Sequence, residues 1–156
     1  MFRVKNVLTL LIFSATAAMG LPAHAGSAAD EVVINHAYVR ATPPGAQTSA
    51  AFMVLENSGE VDHALVAASS GLGKKVEFHN HIMEEGMMKM RQVMKIELPA
   101  GTRVTLEPGG LHVMFMGLNQ RPEMGDTVAL TLTFADGSQT TITIPVKMIK
   151  GMKKHG

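Results

Sequence analysis

The feature that most restricts the fold is a succession of short β-forming segments between residues 32 and 146, each ended by turn residues. Asp136-Gly137 separates two of them, 127–134 and 139–146, and this dipeptide readily forms the two-residue turn of a hairpin. After residue 26 we identify no amphipathic helix. The pattern predicts an all-β fold, either a sandwich or a small barrel. Strands are predicted at 32–40, 49–56, 64–68, 76–83, 88–94, 104–106, 111–118, 127–134 and 139–146.

The length of the chain suits one domain, because 156 residues, of which 46% are hydrophobic, are enough for one core and not for two. We predict a signal peptide at 1–25, a β-sandwich domain at 26–148 and a basic tail containing methionine and histidine at 149–156. The formal net charge of +1 gives no reason to expect a nucleic-acid partner.

The first 25 residues have the pattern of a secretory signal. Arg3 and Lys5 precede an apolar run at 7–19, and Ala23-His24-Ala25 supplies the small residues of a cleavage site. The apolar run is too short to span a bilayer comfortably. We therefore expect export to the periplasm, cleavage after Ala25 and no stable membrane insertion once the signal is removed.

Cysteine is absent and methionine is unusually frequent, with 13 residues. The absence of cysteine excludes a thiol nucleophile, a zinc–thiolate site and a blue-copper electron-transfer site. It leaves imidazole, carboxylate and thioether as metal ligands. Many of the methionines fall close to histidines in one part of the chain: Met83, Met87, Met88, Met90, Met94, Met114 and Met116.

Alternation along the predicted strand 111–118 places His112, Met114 and Met116 on the face opposite to Val113 and Phe115. The same alternation in 76–83 places His79 and His81 on the face opposite to the apolar one. Imidazoles and thioethers therefore project together from the side of each strand that does not face the core.

Between these strands, a turn centred on Glu84 and Glu85 would place His79 across from Met90 in a hairpin. The same register would place Arg91 across from the core residue Phe78, so we expect a bulge near Met90. His79, Met90, His112 and Met114 would then supply a neutral set of two imidazoles and two thioethers. Such soft ligands suit copper(I) better than zinc or magnesium.

The spacing of these four residues, with ten, twenty-one and one residues between them, resembles that of the periplasmic copper chaperones of the Cu(A)-assembly type, the PCu(A)C-like family. The resemblance extends over nearly the whole exported domain. Its other motifs are Tyr38-Val39-Arg40-Ala41-Thr42-Pro43-Pro44-Gly45, Met83-Glu84-Glu85-Gly86, Leu98-Pro99-Ala100-Gly101, Pro108-Gly109-Gly110 and Met116-Gly117-Leu118.

The resemblance implies a cupredoxin-like Greek-key β-sandwich that is not an enzyme. It implies that His79, Met90, His112 and Met114 bind Cu(I). It also implies delivery towards the Cu(A) site of cytochrome c oxidase, with a Cu(A)-bearing oxidase subunit or another copper chaperone as partner.

Other interpretations of the sequence remain open. The same site would serve copper sequestration for resistance, and cleavage after Ala23 would expose His24 as the N-terminal ligand of a Cu(II) enzyme. A metal-free interaction domain would treat the methionines as packing residues. Weaker ligand candidates on the right faces are His81, Met83, Met88 and Met116. The tail, with Met148, Met152 and His155, is either a solvated end or a second copper site.

Overall fold

Ten strands and one helical turn follow one another along residues 26–149, the part of the chain that the computed structural model describes. The predicted signal peptide, and all of the predicted tail except residue 149, lie outside this range. The elements are α1 (Ala28–Glu31), β1 (Val32–Arg40), β2 (Thr48–Asn57), β3 (His63–Ser69), β4 (Gly73–Glu84), β5 (Met87–Val93), β6 (Ile96–Leu98), β7 (Arg103–Leu106), β8 (His112–Leu118), β9 (Thr127–Phe134) and β10 (Gln139–Lys147).

The nine predicted strands are confirmed, with ends that differ by three residues at most. The short strand β6 and the turn α1 were not predicted, because three or four residues are too few to show a period. Tertiary contacts hold α1 in place: the backbone N–H of Ala28 donates to the carboxylate of Asp136. This bond, with two more from Ser138, lowers the pKa of Asp136 to about 2. No helix within residues 26–149 is long and apolar enough to cross a bilayer.

The strands form two sheet portions, which meet where β1 pairs with β10. One has the order β5-β4-β8-β2-β1, and the other has the order β10-β9-β3-β6. A parallel pairing of β1 with β10 joins them, and β7 and β8 pair with successive stretches of the same strand, β2. This arrangement sets β8 beside β4, so the two strands with the histidines are neighbours.

The core lies between the inward faces of the two sheet portions, as strand alternation predicts. Val113 and Phe115 of β8 are fully buried, and Phe78 of β4 is 3% exposed. The same alternation sends His112 and Met114 of β8, and His79 and His81 of β4, to the opposite face. The core thereby fixes which side of the sheet carries the candidate ligands.

The β4–β5 hairpin turns at Glu85 and Gly86, whose φ angles of 51° and 78° suit a two-residue turn of the primed type. The predicted turn at Glu84 and Glu85 was therefore one position too early, and the predicted register was wrong by two residues. Met90 lies across from His81, and His79 lies across from Gln92.

Phe78 accordingly lies across from Val93 rather than Arg91, and the pairing between β4 and β5 is regular. The bulge expected near Met90 does not occur there. The sequence signal for this register is Gly86. The second position of the turn has the larger positive φ, 78°, and glycine adopts such an angle without steric cost.

The hairpin also extends beyond the strand next to it. β8 pairs with β4 only from Gly73 to His79, and His112 is the first residue of β8. The end of β4 after His79 and the facing part of β5 therefore project past β8. His81 and Met90 lie at the beginning of this projecting part.

Candidate metal centre

Three imidazole rings meet where β4 overlaps the start of β8. His79 lies directly across from His112, with ring centres 5.9 Å apart. The ring of His81, two residues along β4, lies 5.3 Å from that of His112. His112 is 3% exposed, so it forms the floor of the cluster.

The turn before β8 sets the tautomer of His112. Its Nδ1–H donates to the carbonyl oxygen of Gly110 at 2.9 Å, which leaves Nε2 as the nitrogen with a lone pair. Burial lowers the pKa of His112, against a smaller raising effect of this hydrogen bond. The ring is therefore neutral at neutral pH and offers Nε2 to a metal ion.

A carboxylate orients His79 in the same way. Hydrogen bonds from Lys75 and then from His79 lower the pKa of Glu77, so the carboxylate is ionised and only accepts. Nε2–H of His79 donates to Glu77 at 2.9 Å. Nδ1 of His79 is buried and has no hydrogen-bond partner among residues 26–149. A buried imidazole nitrogen with a free lone pair is a costly arrangement unless a ligand takes it.

Thioethers are carried by the strands on either side of β4. Met114 lies on the same face of β8 as His112 and across from Glu77. Met90 on β5 lies across from His81 and is 41% exposed. The structure thus brings His79, His112 and Met114 to one face of adjacent strands, and it places Met90 one pair further towards the hairpin turn.

A cleft of about 410 Å³ opens beside His81 and His112, whereas His79 and Met114 are not among its lining residues. His81, Met88, Met90 and His112 line it together with Phe52, whose ring centre lies 6.2 Å from that of His112. Arg40 lines the same cleft, and its guanidinium lies 5.7 Å from the centre of the Phe52 ring. Phe52 and Arg40 were not predicted as part of the site, since neither belongs to a ligand motif.

The imidazoles of this cluster do not form a complete set of metal ligands unless thioethers are added. Within residues 26–149, no group of three or more His, Asp or Glu side chains is arranged to hold a metal ion. A metal at this cluster would therefore need thioethers in addition to imidazoles. Neutral imidazole nitrogens and thioether sulfurs together suit a soft ion of low charge.

The weaker candidates are placed as follows. His81 belongs to the cluster, and its Nδ1 is also buried without a hydrogen-bond partner in the described part of the chain. Met83 and Met88 pair across the hairpin near its turn, and both are exposed. Met116 lies on the face of Met114, one pair further from the cluster. Met148 is exposed, whereas Met152 and His155 lie outside the described residues.

Comparison with known proteins adds a family and a fold. Residues 32–146 match the model of the LpqE-like family, described as "Putative lipoprotein LpqE-like". The chain is 32% identical over 159 residues to "Putative lipoprotein Lxx21020" of Leifsonia xyli subsp. xyli. That alignment covers 99% of this chain and 95% of the relative.

Solved structures share the fold. A copper-bound PCuAC domain from PmoF2 has a TM-score of 0.65 and 26% identity over 76% of this chain and 94% of its own. The solution structure of apo-DR1885 from Deinococcus radiodurans has a TM-score of 0.62 and 31% identity over 96% and 98%. The CuI form of DR1885 has a TM-score of 0.60 and 31% identity over 86% and 85%. These matches confirm the predicted cupredoxin-like sandwich.

Proposed function

The chain belongs to the LpqE-like family, and we propose that it is a periplasmic Cu(I) carrier whose ion is held by His79, Met90, His112 and Met114. The observation that carries the proposal is the buried Nδ1 of His79, which has no hydrogen-bond partner among residues 26–149 and belongs to a ring directly across from His112. Both rings have their other nitrogen fixed by an acceptor, as ligating histidines usually do.

Copper(I) is the ion that this donor set favours. Each thioether and each neutral imidazole adds no charge, and Cu(I) accepts three or four such soft ligands. Two related structures carry copper in their names, the domain from PmoF2 and the CuI form of DR1885. Their identity of 26% and 31% to this chain supports copper as its ion as well.

A carrier has to release its ion, and the site has the means to do so. Met90 is partly exposed, so an incoming ligand of a partner can displace it without unfolding the sandwich. We propose delivery towards the Cu(A) site of cytochrome c oxidase, to a Cu(A)-bearing subunit or to another copper chaperone. Copper sequestration would use the same site. Deletion of the protein should impair oxidase assembly if it delivers copper, and only copper tolerance if it sequesters it.

Export should produce a mature chain that begins at Gly26. The backbone nitrogen of Gly26 lies 3.0 Å from Oε1 of Glu31, and the other carboxylate oxygen of Glu31 lies 2.7 Å from Nε2 of His63. Cleavage after Ala25 would turn that nitrogen into an ammonium group and strengthen the contact. The chain contains no cysteine, so none of its own residues can carry a thioether-linked lipid.

Mass spectrometry of the protein isolated from the periplasm checks this expectation. A mass beginning at Gly26 agrees with the proposed carrier. A mass beginning at His24 would instead favour the Cu(II) enzyme, because the N-terminal amine and the ring of His24 could then bind one ion. Protein found only in the cytoplasmic fraction would contradict the periplasmic assignment.

Replacing Met114 by leucine should weaken Cu(I) binding by about tenfold or more, since even loss of an outer-shell partner costs 10–100-fold. The fold should survive, because this exchange nearly conserves volume and usually costs less than about 1.5 kcal/mol. The measurement is an anaerobic Cu(I) titration against a coloured competing chelator, together with urea unfolding of each protein.

Met124→Leu is the matched control, because Met124 is 68% exposed in the connection between β8 and β9. Its affinity should equal that of the parent protein. If Met114→Leu also binds Cu(I) like the parent, Met114 is not a ligand. The number of Cu(I) ions that the parent protein binds is also informative. One tightly bound ion supports the proposal, and a second would indicate a site in the tail. If the parent binds no Cu(I), the proposal is refuted.

A further inference from the structure

We propose that His81 is an alternative copper ligand, which replaces His79 as the second imidazole while His112, Met90 and Met114 remain bound. This inference rests on the proposed Cu(I) site and extends it. It gives the ion two arrangements that differ in a single ligand.

The ring distances suit either imidazole. Two imidazoles that share a metal ion place their ring centres about 5–6 Å apart, because each metal–nitrogen bond is about 2 Å long and the ring centre lies about 1 Å beyond the nitrogen. The ring of His79 lies 5.9 Å from that of His112, and the ring of His81 lies 5.3 Å from it. Both pairs fall within this range, and the pair with His81 is the closer one.

The two rings share a second feature. Nδ1 of His79 and Nδ1 of His81 are both buried and both lack a hydrogen-bond partner among the described residues. A buried imidazole nitrogen without a partner costs free energy that a bound ion would recover.

The hairpin register favours His81 for contact with the thioether of β5. His81 lies directly across from Met90, whereas His79 lies across from Gln92. Residues directly across from each other have Cβ atoms about 4.5–5.5 Å apart, and diagonal neighbours are further away. His81 also lines the cleft with Met90 and His112. An ion bound to Met90 therefore has an imidazole of β4 beside it in His81.

The two histidines act in alternation and not together, since no three His, Asp or Glu side chains within residues 26–149 are arranged around one metal position. In the exchange, the bond from Cu(I) to Nδ1 of His79 breaks and a bond to Nδ1 of His81 forms. No proton or electron moves, and the charge of the ion is unchanged. The exchange moves copper towards the projecting end of the hairpin, where Met88 is 58% exposed.

The test compares His79→Gln, His81→Gln and the double variant with the parent protein in the same anaerobic Cu(I) titration. If the two arrangements have similar affinity, loss of either one lowers the binding constant only about twofold. Each single variant should therefore stay within about fivefold of the parent, and the double variant should lose at least about 100-fold. Independent effects would limit the double loss to about 25-fold.

A second readout follows His81 itself. In His79→Gln, addition of the diamagnetic Cu(I) ion should shift the imidazole ¹⁵N resonance of His81. Two results would overturn the proposal. In the first, His81→Gln binds Cu(I) like the parent while His79→Gln binds as weakly as the double variant. In the second, the loss of affinity in the double variant equals the product of the losses in the two single variants. Failure of the parent protein to bind Cu(I) would instead refute the proposed function. Urea unfolding of every variant separates lost ligands from lost fold.

Discussion

Replacing His112 by glutamine is expected to lower the affinity for Cu(I) by at least about 100-fold, the largest effect of any single change at the site. His112 is common to both copper arrangements, so no neighbouring imidazole can take its place. Its Nε2 is the free nitrogen of a ring held by Gly110 and buried at the floor of the cluster. Glutamine can still donate to the Gly110 carbonyl, which limits the change to the lost metal ligand.

The measurement is the anaerobic chelator competition, with urea unfolding to confirm that the variant is folded. His36→Asn is the matched control, because His36 is exposed at an irregular position of β1 with φ of 54°, a conformation that asparagine tolerates. Its affinity should be unchanged. Binding of Cu(I) by His112→Gln within about tenfold of the parent would remove His112 from the site and with it both arrangements.

Replacing Phe115 by alanine is expected to lower the free energy of unfolding by about 3–5 kcal/mol. Phe115 follows Met114 on β8 but points to the other face, where it is among the largest fully buried side chains. Its loss leaves a cavity between the two sheet portions, because the surrounding strands can close over it only in part. Urea unfolding measures the change as a lower midpoint at a similar slope.

The pair Phe115→Ala and Met114→Leu tests the two faces of one strand. The first should destabilise the fold strongly, and the second should weaken copper binding while leaving stability nearly unchanged. Phe115→Leu, which removes less volume, should fall between the parent and the alanine variant in stability. A cost below about 1 kcal/mol for Phe115→Ala would contradict the burial of this face of β8.

The strand faces could be predicted from the sequence because a strand alternates its side chains with a period of two. Burial of Val113 and Phe115 follows directly from this period, and so does the shared face of His112 and Met114. The hairpin of β9 and β10 was equally accessible, because Asp136-Gly137 lies in its turn, although the loop has three residues, 135–137, and not two. In the β4–β5 hairpin the period alone was not enough. A turn displaced by one position keeps the faces but moves every partner by two residues.

The sequence by itself determined the all-β class, nearly all the strands and the kinds of ligand available, since each depends on local periodicity and composition. Only the tertiary structure decided which imidazoles meet. Neither the pairing of β4 with β8 nor the end of β8 at His112 is encoded in any short segment, because both depend on which strands become neighbours in the sheet. That pairing brings His81 into the cluster beside His79, where one buried nitrogen of each ring has no hydrogen-bond partner in the described part of the chain.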